Sequence, residues 1–369
     1  MTRYLLAGGG TAGHVNPLLA VADRIRERES DAVVLVLGTS EGLESRLVPA
    51  RGYELLVVDR LPFPRRPNAA ALAFPSRFFK LVGAVGELID THHIDIVVGF
   101  GGYVSAPAYL AARRHGIPIV VHEANARPGI ANRLGSALTK HVGIAFRGTR
   151  LRGARLVGMP LRREIERLDR HAVRAEAQAF FSLEPTKMTL LVTGGSQGAR
   201  SMNESVAAGA VSILGADWQI LHIAGERSAL PDTGLKGYHV LAYCDRMELA
   251  FAAADLVVAR AGAATVSEVT ALGLPAVYVP LPIGNGEQRL NARDVVAVGG
   301  AQIVENAKFT PAWIGDVLVR LLQDRATLAD MAARAASIAV RDGADRTVEL
   351  IRDALGVGNR TPEDGARDD

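Results

Sequence analysis

The stretch Gly8-Gly9-Gly10-Thr11-Ala12-Gly13-His14-Val15-Asn16-Pro17 directly follows the apolar run Tyr4-Leu5-Leu6-Ala7. The apolar run predicts a buried strand, and the apolar residues after the glycines recur with a helical period. Backbone N–H groups converge where such a strand turns into a helix, so this turn is suited to hold a phosphate group. Its glycines also match the spacing Gly-x-Gly-x-x-Gly of dinucleotide sites.

A dinucleotide site needs one more feature, an acidic residue about 20 positions after the glycines that binds the ribose hydroxyls. In this chain the second predicted strand ends at Leu37-Gly38-Thr39-Ser40, and Asp31 lies before that strand, at the wrong end. The sequence therefore disfavours a nicotinamide cofactor. Glycines that only allow a helix to pack closely on a strand are an equally good interpretation of the motif.

Length and composition narrow the class of protein. With 369 residues, of which 49% are hydrophobic and 22% charged, the chain is expected to form two globular lobes. The formal net charge of +3 gives no support for a nucleic-acid partner. A single cysteine, Cys244, excludes an internal disulfide framework and suits a reducing cytoplasm. We expect no signal peptide, no membrane-spanning helix and a disordered tail over residues 356–369.

Strand-like runs alternate with helical segments through residues 1–160, and the alternation restarts in residues 161–340. The predicted strands are residues 4–7, 32–37, 54–58, 94–100, 117–122, 141–145, 188–193, 218–224, 238–242, 256–258, 276–280 and 302–304. The restart repeats the opening, because residues 188–193 lead into Gly194-Gly195-Ser196-Gln197-Gly198-Ala199. This pattern predicts an α/β fold of two facing Rossmann-like, doubly wound parallel-sheet lobes with an interlobe cleft. A helix over residues 341–355 is expected to pack back on the first lobe.

Two stretches of the second lobe carry side chains suited to a nucleotide sugar. The small-residue turn Gly262-Ala263-Ala264-Thr265 follows a predicted strand, and Glu268 lies further along the next helix. The turn favours a diphosphate and the carboxylate can accept hydrogen bonds from a ribose diol, although a glutamate that only complements the helix dipole fits equally well. Glu287, Gln288 and Asn291 suit sugar hydroxyls, whereas helix capping would account for only one or two of them.

In their order along the chain, these stretches resemble the motif series of the MurG family of GT-B glycosyltransferases. The motifs that carry the resemblance are residues 10–14, 101–107, 122–125, 194–199, 260–268 and 285–292. Members of the family move N-acetylglucosamine from UDP-N-acetylglucosamine (UDP-GlcNAc) to undecaprenyl-linked lipid I, which makes lipid II for peptidoglycan synthesis. The resemblance implies an inverting transfer to the C4 hydroxyl of the acceptor's N-acetylmuramic acid, with a β-1,4 linkage.

The resemblance also implies a set of binding residues. UDP-GlcNAc would be a substrate held mainly by the second lobe, with no cofactor. Its contacts would be Thr11, Gly13, Asn125, Arg162, Ser196, Met247, Gly262, Ala263, Ala264, Thr265, Glu268, Glu287 and Gln288. Within this set Glu268 would bind the ribose, Ser196 and the 262–265 turn the diphosphate, and Arg162 and Met247 would lie near the uracil. The acceptor would contact Gly10, His14, Gly101, Gly102 and Tyr103.

The chain departs from the family pattern at three positions. The family commonly has two glutamines where this chain has Glu287-Gln288, so a carboxylate that only accepts hydrogen bonds replaces an amide that could donate. Ala12 stands where a glycine is expected and Ala124 where a glutamine is expected. Only the first departure bears on the sugar contacts.

The transfer needs a base for the attacking hydroxyl, and His14 is the first candidate. The positive end of its helix favours a neutral imidazole, which can accept a proton. Glu123 and His122 are rivals, and a structural His14 that caps the loop or binds acceptor phosphate is an alternative. Helix N-termini can stabilise the departing diphosphate, and the chain has no Asp-x-Asp pair for a metal ion, so no metal is expected to be required.

Residues 61–83 interleave aromatic and basic side chains, which suits the surface of an anionic membrane. The alternative is a helix that packs its apolar stripe on the sheet, and we favour a mixed case. The expected membrane contacts are Phe63, Arg65, Arg66, Phe74, Phe78 and Lys80. The protein would then be peripheral on the cytoplasmic face of the plasma membrane, where cell-wall synthesis proteins are candidate partners.

Three other functions remain open from the sequence. Another GT-B transferase would use a nucleotide sugar on a small-molecule acceptor, and an enzyme like the UDP-GlcNAc 2-epimerases would yield an epimer without any acceptor. A UDP-binding module without activity would give no turnover. Products formed from UDP-GlcNAc with and without acceptor distinguish these functions.

Overall fold

The computed structural model describes residues 1–64, 69–195, 197–231, 233–282 and 286–357. The chain divides into two compact units, one formed by Met1–Arg162 together with the chain from Asp342, the other by Arg163–Arg341. Arg65, Arg66, Ser196 and positions 358–369 of the expected tail lie outside the described residues. Within the described ranges, no helix is long and apolar enough to cross a membrane.

The first unit is built on a parallel sheet, which in the described residues has seven strands in the order β3-β2-β1-β4-β5-β6-β7. The strands are β1 Arg3–Gly8, β2 Val33–Gly38, β3 Glu54–Val57, β4 Ile96–Gly101, β5 Ile119–Glu123, β6 Val142–Ile144 and β7 Ala154–Leu156. The helices between them are α1 Ala12–Arg28, α2 Glu44–Ala50, α3 Ala69–Thr91, α4 Ser105–His115 and α5 Ile130–Leu138. The strand order reverses between β1 and β4, so their carboxyl ends form the switch point at which such sheets bind ligands.

Alternation along the buried strands gives the first unit a core on each face of its sheet. Leu6 and Val36 lie in one core, which α1 covers, while Leu5 and Leu35 lie in the other, which α3 and α4 cover. Because both faces are covered, the central strands β1, β2 and β4 are apolar along most of their length. The loops at the carboxyl ends of the strands are therefore held by two cores.

The second unit repeats this plan with a parallel sheet whose described strands follow the order β10-β9-β8-β11-β12-β13. The strands are β8 Met188–Thr193, β9 Trp218–Ile223, β10 Tyr238–Leu241, β11 Leu256–Ala259, β12 Ala276–Tyr278 and β13 Ala301–Ile303. The helices are α6 Arg163–Glu166, α7 Arg174–Phe180, α8 Arg200–Gly215, α9 Met247–Ala253, α10 Ala263–Ala271, α11 Glu287–Asn291, α12 Arg293–Ala297, α13 Pro311–Trp313, α14 Val319–Gln323 and α15 Arg325–Ser337. A π-helical turn, Ile314–Leu318, joins α13 to α14.

The last helix, α16 Gly343–Leu355, belongs to the first unit. Its Val348 and Ile351 are buried in the core that α1 covers. At its start, the Asp345 carboxylate accepts hydrogen bonds from Arg24 and Arg28 of α1. Apolar contacts and ion pairs thus both attach α16 to α1.

The fold class predicted from the sequence, two Rossmann-like α/β lobes with parallel sheets, is confirmed. Strand β7 has no counterpart among the predicted strands. Its three residues include the exposed Arg155 and lie at the edge of the sheet, so they lack the continuous apolar run that marks a buried strand.

Candidate active site

The first glycine turn connects β1 to α1 and orients His14. Thr11 precedes the helix in an extended conformation (φ −130°, ψ 156°), and His14 lies in the first helical turn. The imidazole Nδ1 lies 3.1 Å from the carbonyl oxygen of Gly9 and 3.3 Å from Thr11 Oγ1. A carbonyl oxygen only accepts hydrogen bonds, so Nδ1 carries the proton and Nε2 of the neutral ring is the acceptor.

The expected acceptor residues Gly101, Gly102 and Tyr103 lie at the end of β4, next to this turn. A Cβ atom on Gly101 would lie 3.1 Å from His14 Nε2, and one on Gly102 would lie 2.7 Å from the carbonyl oxygen of Gly9. Gly102 also has φ +86°, which side chains rarely adopt. The structure therefore brings Gly101 and Gly102 next to His14 and the Gly9–Gly10 turn, and Tyr103 lines the same cavity as Gly10.

The N–H group of Gly10 already has a partner within the chain, which the sequence reasoning missed. It donates a hydrogen bond of 2.8 Å to Oε2 of Glu44, a buried carboxylate at the start of α2. This contact of Gly10 differs from the one expected with a ligand phosphate. In the sequence, Glu44 resembles any first-turn glutamate, and no spacing signal connects it with a turn 34 residues away.

A small cavity opens beside the same turn. It has a volume of about 90 Å³, and the residues that line it include Gly9, Gly10, Thr39, Glu41, Arg60 and Tyr103. Nη1 of Arg60 donates to Glu41 at 2.9 Å, and its guanidinium lies 5.6 Å from the centre of the exposed Tyr103 ring. The cavity thus has a cation and an aromatic hydroxyl at its rim.

Glu123, the rival base, is buried at the end of β5 and is surrounded by donors. It accepts hydrogen bonds from the backbone N–H groups of Asn125 (2.8 Å) and Gly129 (3.0 Å) and from the Asn132 amide (3.0 Å). These bonds engage both carboxylate oxygens. The geometry favours Glu123 as the organiser of the loop that carries Asn125.

His122 is fully buried, and burial lowers its pKa to about 4. Its Nε2 lies 3.0 Å from the carbonyl oxygen of Gly158 and therefore donates a hydrogen bond to it. A neutral, enclosed imidazole of this kind connects β5 to the segment after β7 and is badly placed to meet a substrate hydroxyl.

In the second unit, the turn before α10 presents a helix N-terminus with a cation close by in sequence. Gly262 precedes the helix in an extended conformation (φ −62°, ψ 145°), and Glu268 lies half-buried on α10. Arg260 is not among the site residues predicted from the sequence, and its Nη1 donates to the carbonyl oxygens of Val279 (3.0 Å) and Pro280 (3.1 Å). Burial lowers the pKa of Arg260.

Helix α11 orients the expected sugar contacts. The backbone N–H of Leu281 donates to Oε1 of Gln288 at 2.9 Å, so the Gln288 amide keeps its two N–H donors for another partner. The Asn291 amide donates to the carbonyl oxygen of Ala261 at 3.2 Å, which ties α11 to the turn before α10. A cavity of about 550 Å³ borders α11 at Gly286 and Arg289.

The other expected donor contacts are divided between the units. Thr11, Gly13 and Asn125 belong to the first unit, and the half-buried Arg162 is the last residue of its first segment. Met247, also half-buried, begins α9 in the second unit.

Phe63 and the first half of α3 form a partly exposed aromatic cluster, while the second half of α3 packs on the sheet. Phe63, Phe74 and Phe78 form consecutive ring contacts with centroid distances of 5.2 and 5.6 Å, and Leu72 is 86% exposed. Lys80 is exposed beside them. Further along α3 the buried residues are Leu81, Val82, Val85 and Ile89.

Among the side chains that the structure describes, no group of three or more His, Cys, Asp or Glu residues is placed to hold a metal ion.

Comparisons with known proteins identify relatives along almost the whole chain. The N-terminal domain of glycosyltransferase family 28 matches residues 4–144, and the C-terminal domain of that family matches residues 189–347. The chain is 64% identical over 355 residues to the UDP-N-acetylglucosamine--N-acetylmuramyl-(pentapeptide) pyrophosphoryl-undecaprenol N-acetylglucosamine transferase of Leifsonia xyli subsp. xyli, an alignment that covers 96% of this chain and 99% of that protein.

Two solved structures superpose on almost the whole chain. MurG of Acinetobacter baumannii superposes with a TM-score of 0.78 at 29% identity and covers 96% of this chain and 100% of its own. The UDP-GlcNAc 2-epimerase of Neisseria meningitidis, solved with bound UDP-GlcNAc, has a TM-score of 0.68 at 13% identity over 96% of this chain and 100% of its own. The epimerase therefore shares the fold alone.

The buried His122 makes the stability of the first unit depend on pH. Its pKa is about 4 in the folded protein and about 6.5 when unfolded, so the folded state binds fewer protons between these values. Stability is fully present above about pH 6.5 and falls by roughly 3 kcal/mol as the pH drops towards 4. Urea denaturation at several pH values should show that the free energy of unfolding depends less on pH in His122→Gln than in wild type. The amide of the variant can still donate to Gly158.

The control is His93→Asn, which changes an exposed histidine with a positive φ that asparagine tolerates. This variant should keep the wild-type dependence. If the free energy of unfolding depends equally on pH in wild type and His122→Gln, His122 is not held neutral in the folded unit.

Proposed function

The chain belongs to glycosyltransferase family 28, and we propose that it transfers N-acetylglucosamine from UDP-GlcNAc to lipid I, which forms lipid II for peptidoglycan synthesis. The observation that carries this proposal is the near-full-length identity to the Leifsonia transferase. Two Rossmann-like units with glycine turns at their switch points supply the framework for such a reaction.

The second unit is proposed to bind the donor. The N-terminus of α10 offers the N–H groups of its first turn, which make no intrahelical bond, to a diphosphate. Arg260, whose described partners are carbonyl and hydroxyl oxygens, adds a positive charge two residues before Gly262. Glu268 on the same helix is the ribose contact. The helix N–H groups and Arg260 stabilise the negative charge that develops on UDP as it leaves.

The sugar of the donor is proposed to meet complementary groups on α11. With its oxygen held by Leu281, the Gln288 amide donates hydrogen bonds, while the neighbouring Glu287 carboxylate accepts them. A sugar hydroxyl can both donate and accept a hydrogen bond. The pair therefore suits two hydroxyls, one that accepts from Gln288 and one that donates to Glu287. The Glu287 that departs from the family pattern thus supplies the acceptor half of the pair.

The first unit is proposed to supply the base. Nε2 of His14 accepts the proton of the acceptor's C4 hydroxyl, and the oxygen attacks the anomeric carbon of N-acetylglucosamine. The bond from that carbon to the UDP oxygen breaks, and UDP leaves with the electron pair. Attack from the face opposite UDP inverts the configuration and gives the β-1,4 linkage. The geometry favours His14 over its rivals, because both carboxylate oxygens of Glu123 accept hydrogen bonds inside the protein and His122 is fully buried.

The aromatic cluster at the start of α3 is proposed to rest on the anionic membrane that holds lipid I. Exposed Phe63, Leu72 and Phe79 offer apolar insertion, and exposed Lys80 offers attraction to acidic headgroups. The protein would therefore act as a peripheral enzyme on the cytoplasmic face of the plasma membrane, together with other cell-wall synthesis proteins.

One assay tests the function. Incubation with UDP-GlcNAc and a lipid I analogue should release UDP in proportion to the disaccharide product, and omission of the analogue should abolish UDP release. An epimer of UDP-GlcNAc formed without acceptor, or the absence of turnover, would contradict the proposal.

His14→Ala should lower kcat about 10²- to 10⁴-fold, because the attacking hydroxyl loses its proton acceptor. The KM for UDP-GlcNAc should change little, since the donor is assigned mainly to the second unit. Steady-state kinetics with the soluble acceptor analogue measure both constants. The exposed His171→Ala serves as the control and should match wild type; a loss in His14→Ala of less than about tenfold would exclude His14 as the base.

The double variant Leu72→Glu/Phe79→Glu should weaken binding to vesicles that contain acidic phospholipid by at least about tenfold. Each apolar side chain withdrawn from the interface removes roughly 1.5–3 kcal/mol of burial. Vesicle co-sedimentation measures the effect, and turnover of a water-soluble acceptor should not change. Val211→Glu, at a residue 68% exposed on α8, is the matched control; equal vesicle binding by all three proteins would contradict the docking surface.

A further inference from the structure

One peptide group of the first glycine turn has a partner on each side. Its N–H, from Gly10, donates to Oε2 of Glu44 at 2.8 Å, and its C=O, from Gly9, lies 3.1 Å from Nδ1 of His14. In a trans peptide these two groups point in opposite directions, and no described peptide bond is cis. A carboxylate and an imidazole are therefore joined through a single peptide unit.

The Glu44 carboxylate is held firmly in this position. The side chain is fully buried, and its Oε1 accepts hydrogen bonds from the backbone N–H (3.0 Å) and the hydroxyl (2.9 Å) of Thr39. A Cβ atom on Gly38 would lie 2.6 Å from its Cγ, and one on Gly9 would lie 2.8 Å from its Cδ. Only glycines leave room for the carboxylate here.

The charge of Glu44 is retained despite its burial. Burial raises the pKa of Glu44, but hydrogen bonds from Gly10 and Thr39 together outweigh it and lower the pKa below the ordinary value. Bonds of this kind to an ionised acceptor are stronger than those between neutral groups. The Gly10 N–H is therefore a well-anchored point of the turn.

The other side of the peptide is equally confined. Gly102 approaches the Gly9 carbonyl so closely that a Cβ atom would lie 2.7 Å from its oxygen. The peptide can neither rotate towards β4 nor leave Glu44 without losing a buried hydrogen bond, which costs about 1–3 kcal/mol. The direction in which the Gly9 carbonyl points is fixed by these contacts.

We propose that Glu44 is a positioning residue for His14 and acts through the Gly9–Gly10 peptide. A carboxylate bonded to the N–H makes the carbonyl oxygen of that peptide a stronger acceptor, because linked hydrogen bonds polarise one another. The carbonyl in turn holds the proton on Nδ1, turns Nε2 towards the acceptor side and stabilises the imidazolium that forms on proton transfer. The carboxylate of a Ser-His-Asp triad does this by direct contact; here a peptide lies between the two groups.

This inference rests on the proposed function for its kinetic test, since it assumes that His14 is the base. Glu44→Gln keeps the shape of the side chain. It replaces one carboxylate oxygen with an amide N–H group, which then faces an N–H donor of Gly10 or Thr39. We expect kcat to fall about 10- to 100-fold with the KM for UDP-GlcNAc unchanged. In a His14→Ala background the same substitution should have no further effect on kcat.

The matched control is Tyr53→Phe, which removes a 2.8 Å hydrogen bond to Asp23 in the same unit. It should leave kcat unchanged, which separates the role of Glu44 from a general loss of polar contacts. An equal fall of kcat on Glu44→Gln with and without His14 would overturn the inference, since Glu44 would then not act through the histidine.

A spectroscopic test needs no substrate and so separates this inference from the function. In protein labelled with ¹⁵N in the imidazole rings, NMR should show His14 protonated at Nδ1 in wild type, with a rise in the Nε2-protonated form in Glu44→Gln. The same tautomer in both proteins would overturn the positioning role, whatever the activity. A tautomer shift combined with full activity of His14→Ala would instead refute the base and leave the positioning intact.

If Glu44→Gln does not fold, Thr39→Val provides the second variant, because it removes one hydroxyl bond from the Glu44 carboxylate and leaves the Gly10 bond in place. It should produce a smaller change of the His14 tautomer in the same direction. An unchanged tautomer in this variant would count against the inference.

Discussion

The close approach of three chain segments at the end of β1 is the constraint on which the first unit depends. The Gly9–Gly10 peptide must fit between the Glu44 carboxylate and the backbone at Gly102, and a side chain at either glycine contact would clash. Two apolar cores hold the strands that meet there. The orientation of His14 is thus a consequence of packing, because these contacts fix the direction of the Gly9 carbonyl to which its imidazole is hydrogen-bonded.

The two units share a topology, and the turns at their switch points differ in chemistry. In the first unit the glycine turn is partly filled by a carboxylate of the chain itself, which suits the orientation of a base. In the second unit the turn before α10 has a buried arginine near it, which suits a ligand with negative charge. One fold can therefore present different chemistry, because the side chains around the turn decide what the turn holds.

Much of the fold and part of the site could be predicted from the sequence. The buried strands were recognisable because covered parallel strands are apolar throughout, and β7 was not, because three edge residues with an exposed arginine carry no such pattern. His14 was the first candidate base because the positive end of a helix favours a neutral imidazole, which can accept a proton. Glu44 and Arg260 could not be selected, because their importance lies in partners 34 and 19–20 residues away.

The sequence alone determined the fold class, the family and the types of residue at each turn, because these depend on local periodicity and on the order of motifs along the chain. Only the tertiary structure decided which groups are engaged: the N–H of Gly10 with Glu44, the oxygen of Gln288 with Leu281, and both oxygens of Glu123 with its own loop. The physical reason is that hydrogen bonds are short and directional. Whether a polar group is available for chemistry therefore depends on neighbours that the fold, and not the spacing in the chain, brings within about 3 Å.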